Sequence, residues 1–164
     1  MTEIIKVEEE RLCVIKDLAH TIWPVVYQEM LSPEQLRFML DNIYTLSALT
    51  EALHGRENFY IYQVEGKVIG FTSIKEKSEV MRLEKLYVLP ENHHRGVGAA
   101  LLSFVEQEAR NRGFDIVELN VNRRNSACSF YLKKGFEIYQ EIDIPYYSFV
   151  LDDYIMRKRI TVQD

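Results

Sequence analysis

Cysteine is scarce in this chain: Cys13 and Cys128 are the only two among 164 residues. Two distant cysteines build neither a disulfide framework nor a zinc site, so reduced thiols in a cytoplasmic protein are the expectation. Long apolar runs are lacking too. The most apolar stretch, residues 96–105, is too short to cross a bilayer. The start, MTEIIKVEEER, carries acid where a signal peptide needs base. Nor is there a basic excess. Twenty Lys and Arg stand against 25 Asp and Glu, a net charge of −5, which argues against a nucleic-acid partner. No repeat, linker or low-complexity segment interrupts the chain. Its length fits a single domain over residues 1–164, and its 47% hydrophobic and 27% charged residues are ordinary for a globular protein.

What is present alternates between two periodicities. Residues 4–7 read as a short strand. From Glu9 to Met30 apolar residues recur at helical spacing (Leu12, Ile15, Leu18, Ala19, Ile22, Val26), and Pro24 is expected to kink or split that helix. Ser32-Pro33-Glu34-Gln35 opens another helix with an N-cap, a proline at the first helical position and a capping-box partner in Gln35; it continues toward Gly55, in one piece or two. Residues 59–64 and 67–74, joined by Glu65-Gly66, form a hairpin. A strand at 82–89, a helix at 97–110 stopped by Gly113, a strand at 114–121, a short helix ending at Gly135 and strands at 136–142 and 148–156 complete the order. A hairpin combined with strand–helix–strand units predicts a mixed sheet in an α/β arrangement.

The informative segment is residues 86–102, LYVLPENHHRGVGAALL. It runs strand, breaker, glycine turn, helix. Gly96 and Gly98 leave the backbone open, successive N–H groups can converge on one anion, and the helix adds its positive end. Arg95 adds a full charge, so the expected ligand is a pyrophosphate. A Walker loop would need Gly-Lys-Ser/Thr, and a Rossmann fingerprint would need a third glycine where Leu101 stands. The His93-His94 pair has no further ligand at metal spacing, and no metal ion is expected.

Together with Lys85 and the residues around it, this segment resembles motif A of the GNAT (Gcn5-related N-acetyltransferase) superfamily. Residues 125–136, NSACSFYLKKGF, resemble motif B, in the expected order. The resemblance implies a GNAT fold: a twisted, mixed, mostly antiparallel sheet, splayed at the acyl-CoA site, with helices on both faces. It implies acetyl-CoA as co-substrate and transfer of its acetyl group to an amine. Backbone groups of Leu86 and Val88, with Tyr87 between them, would line the pantetheine arm. His93, His94, Arg95, Gly96, Val97, Gly98 and Ala99 would hold the pyrophosphate; His93 stands where the family usually has Gln or Arg. Asn125 falls where a family residue bonds the CoA arm or an ordered water, and it also suits a helix cap.

The same resemblance places Tyr131 where the family has the tyrosine that gives a proton to the CoA sulfur. Glu84 stands where some members hold a catalytic His, and is the candidate base; pairing with Arg82 or Lys85 is its alternative role. A primary amine, with a pKa near ~10, must shed a proton before it attacks. Trp23, Tyr27, Glu29, Tyr87, Tyr146, Tyr147 and Asp152 are candidate walls for the acceptor. Aromatic faces with acid suit an alkyl ammonium compound such as a polyamine, and the chain is loosely similar to bacterial polyamine acetyltransferases. An enzyme acting on protein N-termini or lysines, and a CoA-binding regulator without turnover, remain alternatives, and a homodimer is left open. No membrane partner is expected.

Overall fold

A computed structural model describes residues 1–161. Strand β1 (Thr2–Lys6) leads through a single 3-10 turn into α1 (Leu12–Val26), α2 (Pro33–Ile43) and α3 (Leu46–His54). Then come β2 (Asn58–Val64), β3 (Lys67–Lys77), β4 (Val80–Val88), α4 (Val97–Asn111), β5 (Ile116–Asn122), α5 (Ala127–Lys133), β6 (Glu137–Tyr146) and β7 (Phe149–Arg159). The strands form one seven-stranded sheet in the order β1-β2-β3-β4-β5-β7-β6. Among the described residues only β4 and β5 run parallel, because α4 carries the chain back between them.

Local chemistry explains most boundaries. Ser32 Oγ accepts the Gln35 amide at 3.1 Å and Thr45 Oγ1 accepts the Ala48 amide at 3.1 Å, so α2 and α3 each start on a side-chain cap. The reciprocal half of the capping box is not made: the Gln35 side chain turns to Met39 Sδ instead. Pro24 neither splits nor ends α1 on the spot. It sits in the last turn, two residues before the helix stops at Val26, so the bond that it cannot make to the His20 carbonyl falls near the helix end. Glu65 and Gly66, both with positive φ, make the tight β2–β3 turn. The last two strands run longer than their sequence suggests. Pro145 ends nothing because β6 is an edge strand, and a missing N–H on the outer side breaks no ladder.

Two apolar layers flank the sheet. On one face α1–α3 pack Leu12, Ile15, Ile22, Tyr44 and Leu49 against Phe59, Ile61 and Phe71. On the other, α4 and α5 pack Leu102, Val105, Ala109 and Tyr131 against Met81, Leu83, Leu119 and Met156. Alternation along β4 therefore assigns Met81 and Leu83 to the α4 face, and Arg82 to the α1 face. A bulge opposite Ser73 and Ile74 skips Glu84 in the ladder, so Lys85 and Tyr87 also face α1. No helix among the described residues is long and apolar enough to cross a membrane.

Leu101 is fully buried beneath the sheet. Leu101→Ala should lower unfolding free energy by about 2–5 kcal/mol through lost burial and a residual cavity. Leu132→Ala, at a residue 49% exposed, should change it by about 0.5 kcal/mol or less. Urea denaturation of both variants checks the pair.

Candidate active site

The parallel pairing of β4 with β5 lasts three residues: Met81, Arg82 and Leu83 against Val117, Glu118 and Leu119. Both strands continue, to Val88 and Asn122, but apart. Leu89 donates its amide to the Ile69 carbonyl at 2.9 Å, and Tyr87 lies in register with Phe71. By the alternation of the ladder, the N–H and C=O groups of Leu86 and Val88 then face away from β3, toward the gap. One of them is already engaged: His93 Nε2–H donates to the Val88 carbonyl at 2.9 Å. The ring at 93 thus ties the loop to the end of β4.

After β4 the chain makes a 3-10 turn at Pro90–Asn92 and then two left-handed residues, His94 at φ 63° and Gly96 at φ 81°. Gly96 is the N-cap of α4, and no side chain caps the helix there. The first intrahelical bond is from Ala100 N–H to Gly96 O, so the amides of Val97, Gly98 and Ala99 have no helical acceptor. A Cβ at Gly96 would meet no atom within 4 Å. An open, electropositive concavity lined by exposed Arg95 results, suited to a phosphate group. Gly98 lies against Phe130, which would be 3.6 Å from an added Cβ. The start of α4 and helix α5 therefore meet at the mouth of the gap.

Tyr131 projects from α5 into this region and is only 7% exposed. Burial raises its phenol well above the usual range, and the neighbouring Tyr27 and Cys128 add to the shift. The Tyr27 and Tyr87 hydroxyls share a hydrogen bond of 2.8 Å. Burial pushes Tyr27 up to about 12; its bond to Tyr87 opposes the shift, the charge of Asp153 adds to it and the Asn125 side chain opposes it. Tyr87 is also raised well above the usual range, first by burial. Asn125 Oδ1 accepts the Ala127 amide at 2.8 Å, so it does serve the start of α5. The gap thus brings together the free edge of β4, the α4 start, Asn125, Tyr131 and the Tyr27–Tyr87 pair.

Glu84 sits beside Arg82, with Arg82 Nε at 3.4 Å from its Oε1. Lys85 pairs instead with Glu57 at 2.6 Å. Arg82 reaches across the sheet: Nη1 donates to Glu118 at 2.8 Å and Nη2 to Asn120 Oδ1 at 2.7 Å. Asn120 Nδ2 in turn donates to Asp153 Oδ2 at 3.2 Å. Burial alone would raise Glu118, but bonds from Arg157 and Arg82 outweigh it and hold the carboxyl below its usual range. Asp153 shows the opposite outcome: burial raises it, and Asn120 and the Arg123 charge only partly offset that. Arg123 engages Asp143, Glu141 at 3.3 Å and Asp152 at 3.8 Å.

The candidate acceptor walls do not form one surface. Trp23 is a core residue, 5% exposed, packed on Tyr27 and Tyr87 at ring distances of 4.6 and 5.7 Å. Its Nε1 lies by Tyr44 but finds no acceptor within hydrogen-bond geometry. Glu29 faces a hollow of about 450 Å³ between the end of α1 and the β5–α5 loop, where Arg124 donates to the Met30 carbonyl. Tyr146 and Tyr147 cluster with Phe38 of α2 at the β6–β7 turn. Arg82 was foreseen only as a partner of Glu84, and that pair is present; its reach across the sheet, and site positions for Asn120, Arg123 and Asp153, escaped sequence reasoning. Period-two alternation from Met156 selects Tyr154 and Asp152, so it carried no signal for Asp153 or for its neighbour across the sheet.

Residues 27–142 match the family model described as an acetyltransferase (GNAT) domain. The chain belongs to the GNAT acetyltransferase family. It is 29% identical over 142 residues to a spermidine N(1)-acetyltransferase of Thermoplasma acidophilum, covering 83% of this chain and 88% of that protein. An N-acetyltransferase of Methanocaldococcus jannaschii, itself uncharacterised, is 36% identical over 89 residues, 49% of this chain and 39% of that protein's length. The fold superimposes on the PaiA N-acetyltransferase of Thermoplasma acidophilum, solved in complex with coenzyme A, with a TM-score of 0.85 at 27% identity over 97% of this chain and 99% of that one. The seven-stranded mixed sheet, parted between β4 and β5, is the GNAT fold that the motifs implied. The chain is therefore an acyltransferase.

A carboxylate at residue 96 should repel any phosphate held by these amides. Gly96→Asp and Gly96→Asn share the same left-handed strain, so the charge is the variable between them. Gly96→Asp should bind coenzyme A at least about tenfold more weakly than Gly96→Asn by calorimetry, about 1.4 kcal/mol. Equal affinities would remove the anion from this loop.

Proposed function

We propose that this GNAT enzyme moves the acetyl group of acetyl-CoA to a small primary amine that carries a second positive charge, a polyamine being the class, by direct attack in a ternary complex. The observation that carries the reading is the charge beside the gap. Glu84, Glu118 and Asp153 stand with Arg82 and Arg157 on the α1 side, and Glu141, Asp143 and Asp152 gather around Arg123 on the other side of the β6–β7 strands, six carboxylates against three guanidinium groups. The Tyr27 and Tyr87 rings adjoin them. Acid alone would attract any cation and rings alone any apolar amine; together they suit ammonium groups separated by methylenes. Similarity to a spermidine acetyltransferase supports the same class.

In this reading the amides from His94 to Ala99 and the Arg95 side chain hold the pyrophosphate, the His93 amide being bonded to the Pro90 carbonyl, and the free edge at Leu86 and Val88, with Tyr87 between them, lines the pantetheine arm. Asn125 orients the arm or a water beside it. Tyr131 is the general acid. Its raised phenol stays protonated at neutral pH and can donate to the sulfur as the carbon–sulfur bond breaks. A carboxylate of the acidic face, Glu84 among the candidates, takes the proton the amine must lose. The enzyme needs only acetyl-CoA and the amine, which suits a cytoplasmic setting.

Tyr131→Phe keeps the ring and removes the donor. It should lower the single-turnover rate by about 10²–10⁴-fold while coenzyme A affinity changes little. An undiminished rate would make Tyr131 a packing residue.

Acceptor class is tested by kcat/KM for spermidine, for a monoamine of similar length without a second charge, and for short peptides, at low and high salt. Spermidine should lead, by a margin that narrows with salt as the Debye length shortens. Peptides outperforming every diamine would overturn the polyamine reading and favour a protein N-terminus or lysine.

A further inference from the structure

We infer that Asp153, on β7, is the carboxylate that takes the proton from the incoming amine. This rests on the acetyltransferase reading above and adds a catalytic residue to it.

The backbone sets its position. Asp153 pairs across β5–β7 with Asn122, three residues beyond Leu119, where β5 has already left β4. The Asn122 carbonyl accepts from Cys128 Sγ at 3.4 Å, and Cys128 lies one helical turn before Tyr131 on α5. Asp153 and Tyr131 thus both lie by the part of β5 that has left β4, with Tyr27 and Cys128 as neighbours common to both.

Chemistry then separates Asp153 from the other carboxylates beside the gap. Glu118 is held by two arginines, at 2.8 and 2.7 Å. Glu84 leans on the Arg82 guanidinium. Glu141, Asp143 and Asp152 are 44–67% exposed at the side chain and gather around Arg123. Asp153 makes no ion pair within 4.0 Å among the described residues. Arg123 binds its backbone carbonyl rather than its carboxylate, at 3.4 Å. Asn120 donates to Oδ2 alone, which fixes the group and leaves Oδ1 for an ammonium. The phenols of Tyr27, Tyr87 and Tyr131 are all raised by burial, so they remain protonated at neutral pH and cannot serve as base.

The protons balance as follows. The ammonium gives its first N–H proton to Asp153, which passes it to water. The nitrogen–carbon bond forms as the carbon–sulfur bond breaks. The departing sulfur takes the Tyr131 proton, and the tyrosinate takes the second proton of the new amide nitrogen. The products are the acetylamine, free coenzyme A and one proton.

Charged and titratable groups around Asp153 are Arg82 from β4, Arg123 after β5, Asp152 on its own strand, Tyr27 after α1 and Cys128 on α5. Their sum leaves Asp153 above the ordinary aspartate range, through burial first. The rate should therefore fall as pH drops through that raised value, because a protonated Asp153 cannot accept.

The test measures thiol release from acetyl-CoA with spermidine, in single turnover from the lowest pH at which the fold persists up to pH 9. Asp153→Asn keeps an oxygen for Asn120. It should bind coenzyme A like wild type and melt within a few degrees of it, yet lose about 10²–10⁴ in rate at pH 7 and lose the acid limb. Asp153→Glu should recover part of both. Glu84→Gln should retain the acid limb. If Asp153→Asn and Asp153→Glu keep the wild-type rate and limb while Glu84→Gln loses them, the assignment is overturned and the acetyltransferase reading stands. If wild type releases no thiol with any amine or peptide offered, the proposed function fails, and Asp153 as its base fails with it.

Discussion

Beyond Leu83 and Leu119 the facing edges of β4 and β5 have no strand partner, and backbone polar groups left unpaired away from water are costly. A parallel pair that stops after three residues must be anchored where it parts. Arg82 does this from the middle of the three paired rungs. It spans from β4 to Glu118 and Asn120 on β5, and Glu118 continues to Arg157 on β7. The strands are thus pinned by charge-assisted bonds just where their amides cease to pin them. Breaking such a partly buried pair by removing one partner leaves an uncompensated charge, so the gap and the network that borders it are coupled. In the proposed reaction, the opening for the acyl donor and the charge that meets the acceptor then come from one feature.

That coupling divides the faces. On the α4 side, the parted strands expose backbone, a helix start and a phenol, which in the proposed reaction meet a ligand that arrives with phosphates. On the α1 side they expose a carboxylate-rich surface whose arginines are already spent on neighbours. A ligand with negative charge and one with positive charge can then approach the same opening from opposite sides without competing for the same groups. Coulomb attraction at exposed positions such as Asp143 is weak. The half-buried Asp153, in a lower dielectric, carries more weight per charge.

Local features were legible in the sequence and cross-strand ones were not. The glycine loop, the Ser32 cap, the Glu65-Gly66 turn and the α4 helix are each set within a few residues, so pattern and turn chemistry reveal them. The GNAT motifs brought the gap with them as an implication. The bulge that turns Glu84 and Lys85 to one face, the Arg82–Asn120–Asp153 chain and the separation of Trp23 from Tyr146 depend on register between distant segments. A one-residue slip would move any of these side chains to the other face. The tyrosines show the limit well. Tyr27 and Tyr87 do meet, hydroxyl to hydroxyl, while Tyr146 finds Phe38 and Asn42 at the far end of β6.

In the proposed reaction Tyr131 poses a last physical question. A thiol has a pKa of about 8.5, and burial holds the Tyr131 phenol above its own ordinary value of 10.0. Full transfer of its proton to a departing thiolate would run uphill if it occurred alone. The transfer becomes favourable only when the tyrosinate is neutralised in the same event, and the new amide nitrogen carries a surplus proton at that moment. A strongly acidic phenol would not solve the problem better, since it would already be ionised at neutral pH and have nothing to donate. The raised phenol therefore works as a donor whose cost is met by the nucleophile itself. That arrangement requires the amine to arrive with one proton already removed, which is why a carboxylate on the opposite side of the gap is needed at all.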